Sequence, residues 1–173
     1  MKKVWLIFFI GWLFFIVNDM ADGGSPIAYS EPVTFLGCEF RVFFPTKTKQ
    51  KRAFANGIES LIVQSVYDGE SPFMRAECLP LSDPNETIAA FRTILENQAR
   101  NSGVQNPEIT IEKGKLGVVG TYAGVRKAGG FDIKFFGKLV IGDASILSLL
   151  VSEEAAKFPS DKAVYFLNTI ERK

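Results

Sequence analysis

Two cysteines, Cys38 and Cys78, are the only redox-capable pair in the 173-residue sequence, and the chain contains no histidine. Without an imidazole there is no Ser-His-Asp or Cys-His nucleophile, no H-E-x-x-H metal site and no histidine switch near neutral pH. A thiol with no histidine beside it has no general base to activate it. Two outcomes remain for the pair. One is a disulfide, which an even cysteine count favours in an exported chain and which needs Cα atoms within about 7 Å. The other is burial of both thiols as small apolar side chains.

The remaining reactive residue types give weaker signals. Gly130–Lys138 ends in Gly-Lys, but Asp132 and Leu139 stand where a phosphate-cradling loop needs glycine and a hydroxyl side chain, so a P-loop is excluded. Glu153 and Glu154 are sequence neighbours and read as a solvated turn rather than a general acid and base. Arg41, Arg75 and Arg126 fall on the polar faces of expected strands. They would hold a carboxylate or phosphate only by converging, and pairing with acids such as Glu39 and Glu77 is the expected use. Lys47, Lys49, Lys51 and Arg52 read as a solvated loop; as a functional signal the same run would suit an acidic partner. Asn85-Glu86-Thr87 matches a glycosylation sequon. No catalytic, cofactor-binding or metal-ligating residue is assigned, and Cys38 and Cys78 stand as a candidate disulfide.

The elements that would position these residues follow from periodicity. Cys38–Phe44 is a strand with Cys38, Phe40, Val42 and Phe44 on one face, ended by Pro45. Ile58–Tyr67 and Phe73–Leu81 are antiparallel neighbours across a short loop, and Cys78 points the same way as Cys38. Asp83 caps a helix with Pro84 first, Glu86 third, an apolar stripe of Ile88, Phe91, Leu95 and Gln98/Ala99 widened by Ile94, an i,i+4 pair of Glu96 with Arg100, and a stop at Gly103. Ile109–Glu112 is a short edge strand. Leu116–Ala128 is a strand whose interior Gly117, Gly120 and Gly124 suggest bulges or sharp twist.

Gly129-Gly130 then turns into the hairpin Phe131–Val151, with a two-residue turn at Gly142-Asp143. Its return strand is apolar on both faces and so central. Phe136 and Val140 share a face with Lys134 and Lys138; they are core if the closing helix covers that face and a binding surface if it does not. Ser160 caps that helix, whose stripe is Ala163, Phe166, Leu167 and Ile170. The expected fold is α+β, an antiparallel sheet of about six or seven strands flanked by helices.

Twenty basic and nineteen acidic side chains leave a net charge of +1, which supplies no broad field for nucleic acid or an anionic membrane. At the N-terminus Lys2 and Lys3 precede an unbroken apolar run, Val4 to Val17. As a helix it would rise about 21 Å, short of a hydrocarbon core of roughly 30 Å. The run reads as a secretory signal peptide with Ala28-Tyr29-Ser30 before the cleavage site. The expected organisation is therefore a signal region over 1–30 and a single domain over 31–173, periplasmic or extracellular, touching membrane only through an uncleaved N-terminal segment.

With the elements in place, the early C-E-F-R-V-F-F-P strand ending at Phe44-Pro45, the meander, the long helix, the glycine-rich hairpin and the closing helix with Phe166-Leu167-Asn168 resemble one known group. Over residues 33–172 the chain resembles the PsbP-like α-β-α sandwich superfamily, whose bacterial envelope members include the LpqN and DcrB groups. The resemblance implies a central antiparallel sheet flanked by helices and, for most members, a non-enzymatic accessory or binding role, with no shared ligand implied. The expected partner is a protein or small ligand, with no cofactor. A periplasmic chaperone or adaptor holding an apolar segment of another protein is the alternative, and an enzyme working without histidine a third.

Overall fold

The computed structural model describes residues 31–55, 58–66 and 72–173; the expected signal segment lies outside the described residues. Ten strands and three helices are present among them. In chain order they are β1 (Val33–Thr34), β2 (Phe40–Val42), β3 (Thr48–Ala55), β4 (Ile58–Ser65), β5 (Phe73–Pro80), α1 (Pro84–Ala89), α2 (Phe91–Asn101), β6 (Glu108–Gly114), β7 (Gly117–Ala128), β8 (Phe131–Ile141), β9 (Ser145–Glu154), α3 (Asp161–Asn168) and β10 (Ile170–Arg172). Seven strands make one sheet in the order β3-β4-β5-β9-β8-β7-β6, and β1-β2-β10 make a second, three-stranded one. Every pairing is antiparallel. The large antiparallel sheet is as expected, but the molecule is mostly sheet and its helices are short.

Strand β9 lies fourth among the seven, the central place that its two apolar faces require. Leu147, Leu149 and Val151 point to one side, into a cluster with Phe40, Val42 and Phe44 of the small-sheet segment and Ala163, Phe166 and Leu167 of α3. Ile146 and Leu150 point to the other, against Phe91, Leu95 and Ala99 of α2. Alternation along β8 follows the same rule. Phe135, Leu139 and Ile141 belong to the α2 side, whereas Val140 and, packed against it, Phe136 belong to the α3 side. The ring of Phe136 stacks on Phe158, with centroids 6.2 Å apart. Phe136 and Val140 are therefore core, covered from the α3 side.

Four expectations are corrected. The strand begun at Cys38 belongs not to the main sheet but to the small one that covers it. The basic run read as a loop is the edge strand β3, with Lys49, Lys51 and Arg52 exposed. An edge strand with little apolar cover loses the alternation by which a strand is recognised, and its cations discourage pairing with another chain. The single helix is two, broken at Ala90 (φ −87°, ψ 0°), which leaves Ile88 on α1 and 40% exposed rather than in the apolar stripe. Ile170 lies in β10, paired with Val42, rather than in the closing helix.

Smaller details also differ. Gly142 N–H donates to Ser145 O, so the two residues inside the β8–β9 turn are Asp143 and Ala144, one place on from the expected pair. Register between β7 and β8 runs unbroken from Val118↔Ile141 to Ala128↔Phe131, so the interior glycines mark no bulge. Gly120 marks close approach of α2, and Gly124 that of the loop after it. A Cβ on Gly120 would stand 2.6 Å from Leu95 and 2.7 Å from Phe91, and one on Gly124 would stand 2.1 Å from Val104.

Candidate functional site

Cys38 and Cys78 are bonded, with Cα atoms 6.2 Å apart, and both are buried. The bond ties the start of the small sheet to β5. Beside it Glu39 accepts hydrogen bonds from the amides of Ala144 (2.8 Å) and Ser145 (3.1 Å) and from the Ser145 hydroxyl (3.3 Å). Arg172 of β10 pairs with the same carboxylate at 2.5 Å and with Asp143. Burial pushes the Glu39 carboxyl up, but the amides of Ala144 and Asp143, the Arg172 guanidinium and the Ser145 hydroxyl outweigh it and hold it below its usual value. The network clamps the β8–β9 turn between the small sheet and the C-terminus. It spends its polar atoms on structure.

The other sequence candidates are not brought together. Arg41 donates to Glu171 at 2.6 Å, Arg75 to Glu77 at 2.7 Å, and Arg126 lies over the Phe135 ring at 4.9 Å. Glu153 accepts from the Ser160 amide at 3.0 Å, while Glu154 pairs with Lys157 at 2.7 Å. These neighbours serve two separate structural contacts and make no acid–base pair. Lys138 donates to Leu167 O at 2.9 Å, fixing the last turn of α3 to the sheet. Burial lowers the Lys138 pKa against the opposing field of Glu112. Tyr122 shares a hydrogen bond of 3.2 Å with Ser102, and burial raises its pKa while that bond opposes the shift.

A different feature lies at the edge of the large sheet. Gly129 and Gly130, at φ 59° and 84°, form a primed two-residue turn, in which the flanking Ala128 and Phe131 exchange both backbone hydrogen bonds. Counting in twos from that pair along the unbroken register directs the backbone groups of Val119, Thr121 and Ala123 toward β6. Their partners there are Glu112, Thr110 and Glu108. The N–H and C=O groups of Ile109, Ile111 and Lys113 therefore point outward, along an edge of the sheet that no other described strand pairs with.

Helix α2 runs alongside that edge. Its start lies over Gly120 through Phe91 and Leu95, and the loop after its end lies over Gly124 through Val104, so it follows β7. Between its outer flank and the beginning of β6 is an open groove of about 490 Å³, lined by Arg92, Glu96, Arg100, Val104, Pro107 and Ile109 among others. Arg92, Glu96 and Arg100 repeat every four residues, which sets them about 6 Å apart along one helical flank. None of the three is in an ion pair among the described residues, so the expected Glu96–Arg100 pair is not formed. Beside the groove Ile111 is 41% exposed. Sequence reasoning recognised the edge strand but missed this flank. The four-residue repeat of charge is visible in the sequence, yet only the packing of α2 on β7 brings it to the edge.

No family model and no curated protein sequence matches the chain.

Proposed function

We propose that this is an exported, non-enzymatic binding or accessory protein of the cell envelope, a PsbP-like α-β-α sandwich in which the small sheet and α3 form one outer layer and α1 and α2 the other. One observation carries the binding reading: among the described residues a backbone edge at β6 is left unpaired, beside an open, charge-walled groove. Such an edge offers hydrogen bonds to a partner polypeptide without any reacting group. The prominent acids, Glu39, Glu77, Glu153 and Glu154, are engaged in structural contacts, which supports a binding role over acid–base catalysis.

A holdase for apolar segments would call for a contiguous apolar groove, whereas Arg92, Glu96 and Arg100 wall this one. That contrast favours the accessory reading. Affinity purification of the protein from its own envelope fraction is the test. A partner or ligand that co-purifies reproducibly is expected, and repeated recovery of the protein alone would overturn the reading. N-terminal sequencing of the exported protein is expected to begin at Glu31, and a sequence beginning at Met1 would overturn the cleavage.

A further inference from the structure

We infer that β6 receives an eighth strand from a partner polypeptide, and that the flank of α2 selects one carrying acidic residues four apart with a basic residue midway between them. This rests on the binding role proposed above and adds the chemistry of the partner. Strand addition supplies the main-chain bonds, and alternate side chains of the added strand supply selection.

The two periodicities match. Arg92, Glu96 and Arg100 are spaced by about 6 Å on the helix, and residues p, p+2 and p+4 of a strand are spaced by about 6.7 Å on one face. The helix is aligned with the strands through Gly120 and Gly124, so the two rows run together rather than crossing. The complement of a base–acid–base row is acid–base–acid. Lys113 and Arg126, also on the α2 side of the sheet, add positive charge to this face.

Charge also argues against a second copy of this chain as the occupant. Added antiparallel, a β6 strand from another copy would bring Ile109, Ile111 and Lys113 to the α2 side, placing Lys113 against a wall with two arginines. Added parallel, it would bring Glu108, Thr110 and Glu112, with no base between the acids to face Glu96. The opposite edge, β3, would bring lysine and arginine. Among the described residues, neither edge of the seven-stranded sheet carries the acid–base–acid face that the groove requires.

The probe is the capped peptide Thr-Glu-Thr-Lys-Thr-Glu-Thr, titrated into the protein purified from the envelope fraction. Binding is read by calorimetry and by amide exchange at Ile109, Ile111 and Lys113. Binding that slows exchange at those three amides, and that weakens as salt is raised, is expected. Ile111→Pro removes an outward N–H and no sheet hydrogen bond, a place where an edge strand tolerates proline; it should abolish binding. Arg92→Glu with Arg100→Glu leaves the backbone unchanged and should weaken binding about tenfold, about threefold for each side chain. The reversed peptide Thr-Lys-Thr-Glu-Thr-Lys-Thr should bind the parent protein more weakly than the probe.

Absence of binding by the probe, binding unaffected by Ile111→Pro in a folded variant, or equal binding of both peptides would each overturn the inference. If Ile111→Pro fails to fold, the charge variant and the reversed peptide decide. A co-purifying partner that cross-links to the protein elsewhere would leave the binding role standing while removing this site.

Discussion

At the scale of single residues, Glu39 gathers several long-range polar contacts. Its carboxylate bonds to two amides of the β8–β9 turn, to Ser145 and to Arg172, and its own C=O accepts from the Lys173 amide at 2.8 Å. Gly142 makes room for it, since a Cβ there would lie 2.2 Å from Oε1. Because the folded pKa lies below the ordinary 4.5, the ionised carboxylate contributes stability that is present above that ordinary value and lost as pH falls through the lowered one. Glu39→Gln is therefore expected to lower the thermal midpoint at pH 7, with a cost of about 1–2 kcal/mol. The gap between wild type and variant should close progressively on acidification below pH 4.5. Gly142→Ala should displace the same carboxylate. Its cost and that of Glu39→Gln should add to less than their sum in the double variant; thermal melts of the four proteins across pH test both expectations.

At the scale of elements, the small sheet is the part whose stability needs most explanation. Its strands are two, three and three residues long, too short to be stable without support from the main sheet. That support is the burial of Phe40 and Val42, the Glu39 network and the Cys38–Cys78 bond. Closing a loop of 40 residues is worth about 4 kcal/mol in the chain-entropy picture. Cys38→Ala with Cys78→Ala should lower the guanidinium midpoint by a corresponding amount, and reductant should destabilise the wild type but not the variant. A wild type indifferent to reductant would contradict the bond.

How far these elements could be read from sequence follows from what their faces touch. β8 and β9 bury side chains on both faces and were readable to within a residue at their turn. Asp83 and Ser160 accept amide hydrogen bonds as caps, as read, and Gly103 ends α2 at φ 78°. β3 was misread because its exposed residues carry no alternation. β10 was missed because Ile170 suits a helical stripe as well as a strand, and with it went the partner of Arg41, which is Glu171. The groove was not legible at all. It depends on α2 lying along β7, a tertiary fact to which no local pattern answers.

At the scale of the whole molecule, one sheet serves two cores. β9 feeds Leu147, Leu149 and Val151 to the α3 side and Ile146 and Leu150 to the α2 side. β8 divides Phe136 and Val140 from Phe135, Leu139 and Ile141 in the same way. Loss of packing on either side must therefore loosen the same central strands. The two clusters cannot melt independently unless the sheet itself divides, and β5, β9 and β8 are paired along eight and nine residue positions. A single cooperative transition is expected, in which Leu95→Ala on one side costs about 2–5 kcal/mol and Phe166→Ala on the other about 3–5 kcal/mol. Both residues are fully buried. Far-ultraviolet circular dichroism and tyrosine fluorescence followed together in denaturant give the measurement. Each variant should shift one shared midpoint for both probes, and a variant that separated the two signals would show that the faces unfold as distinct units.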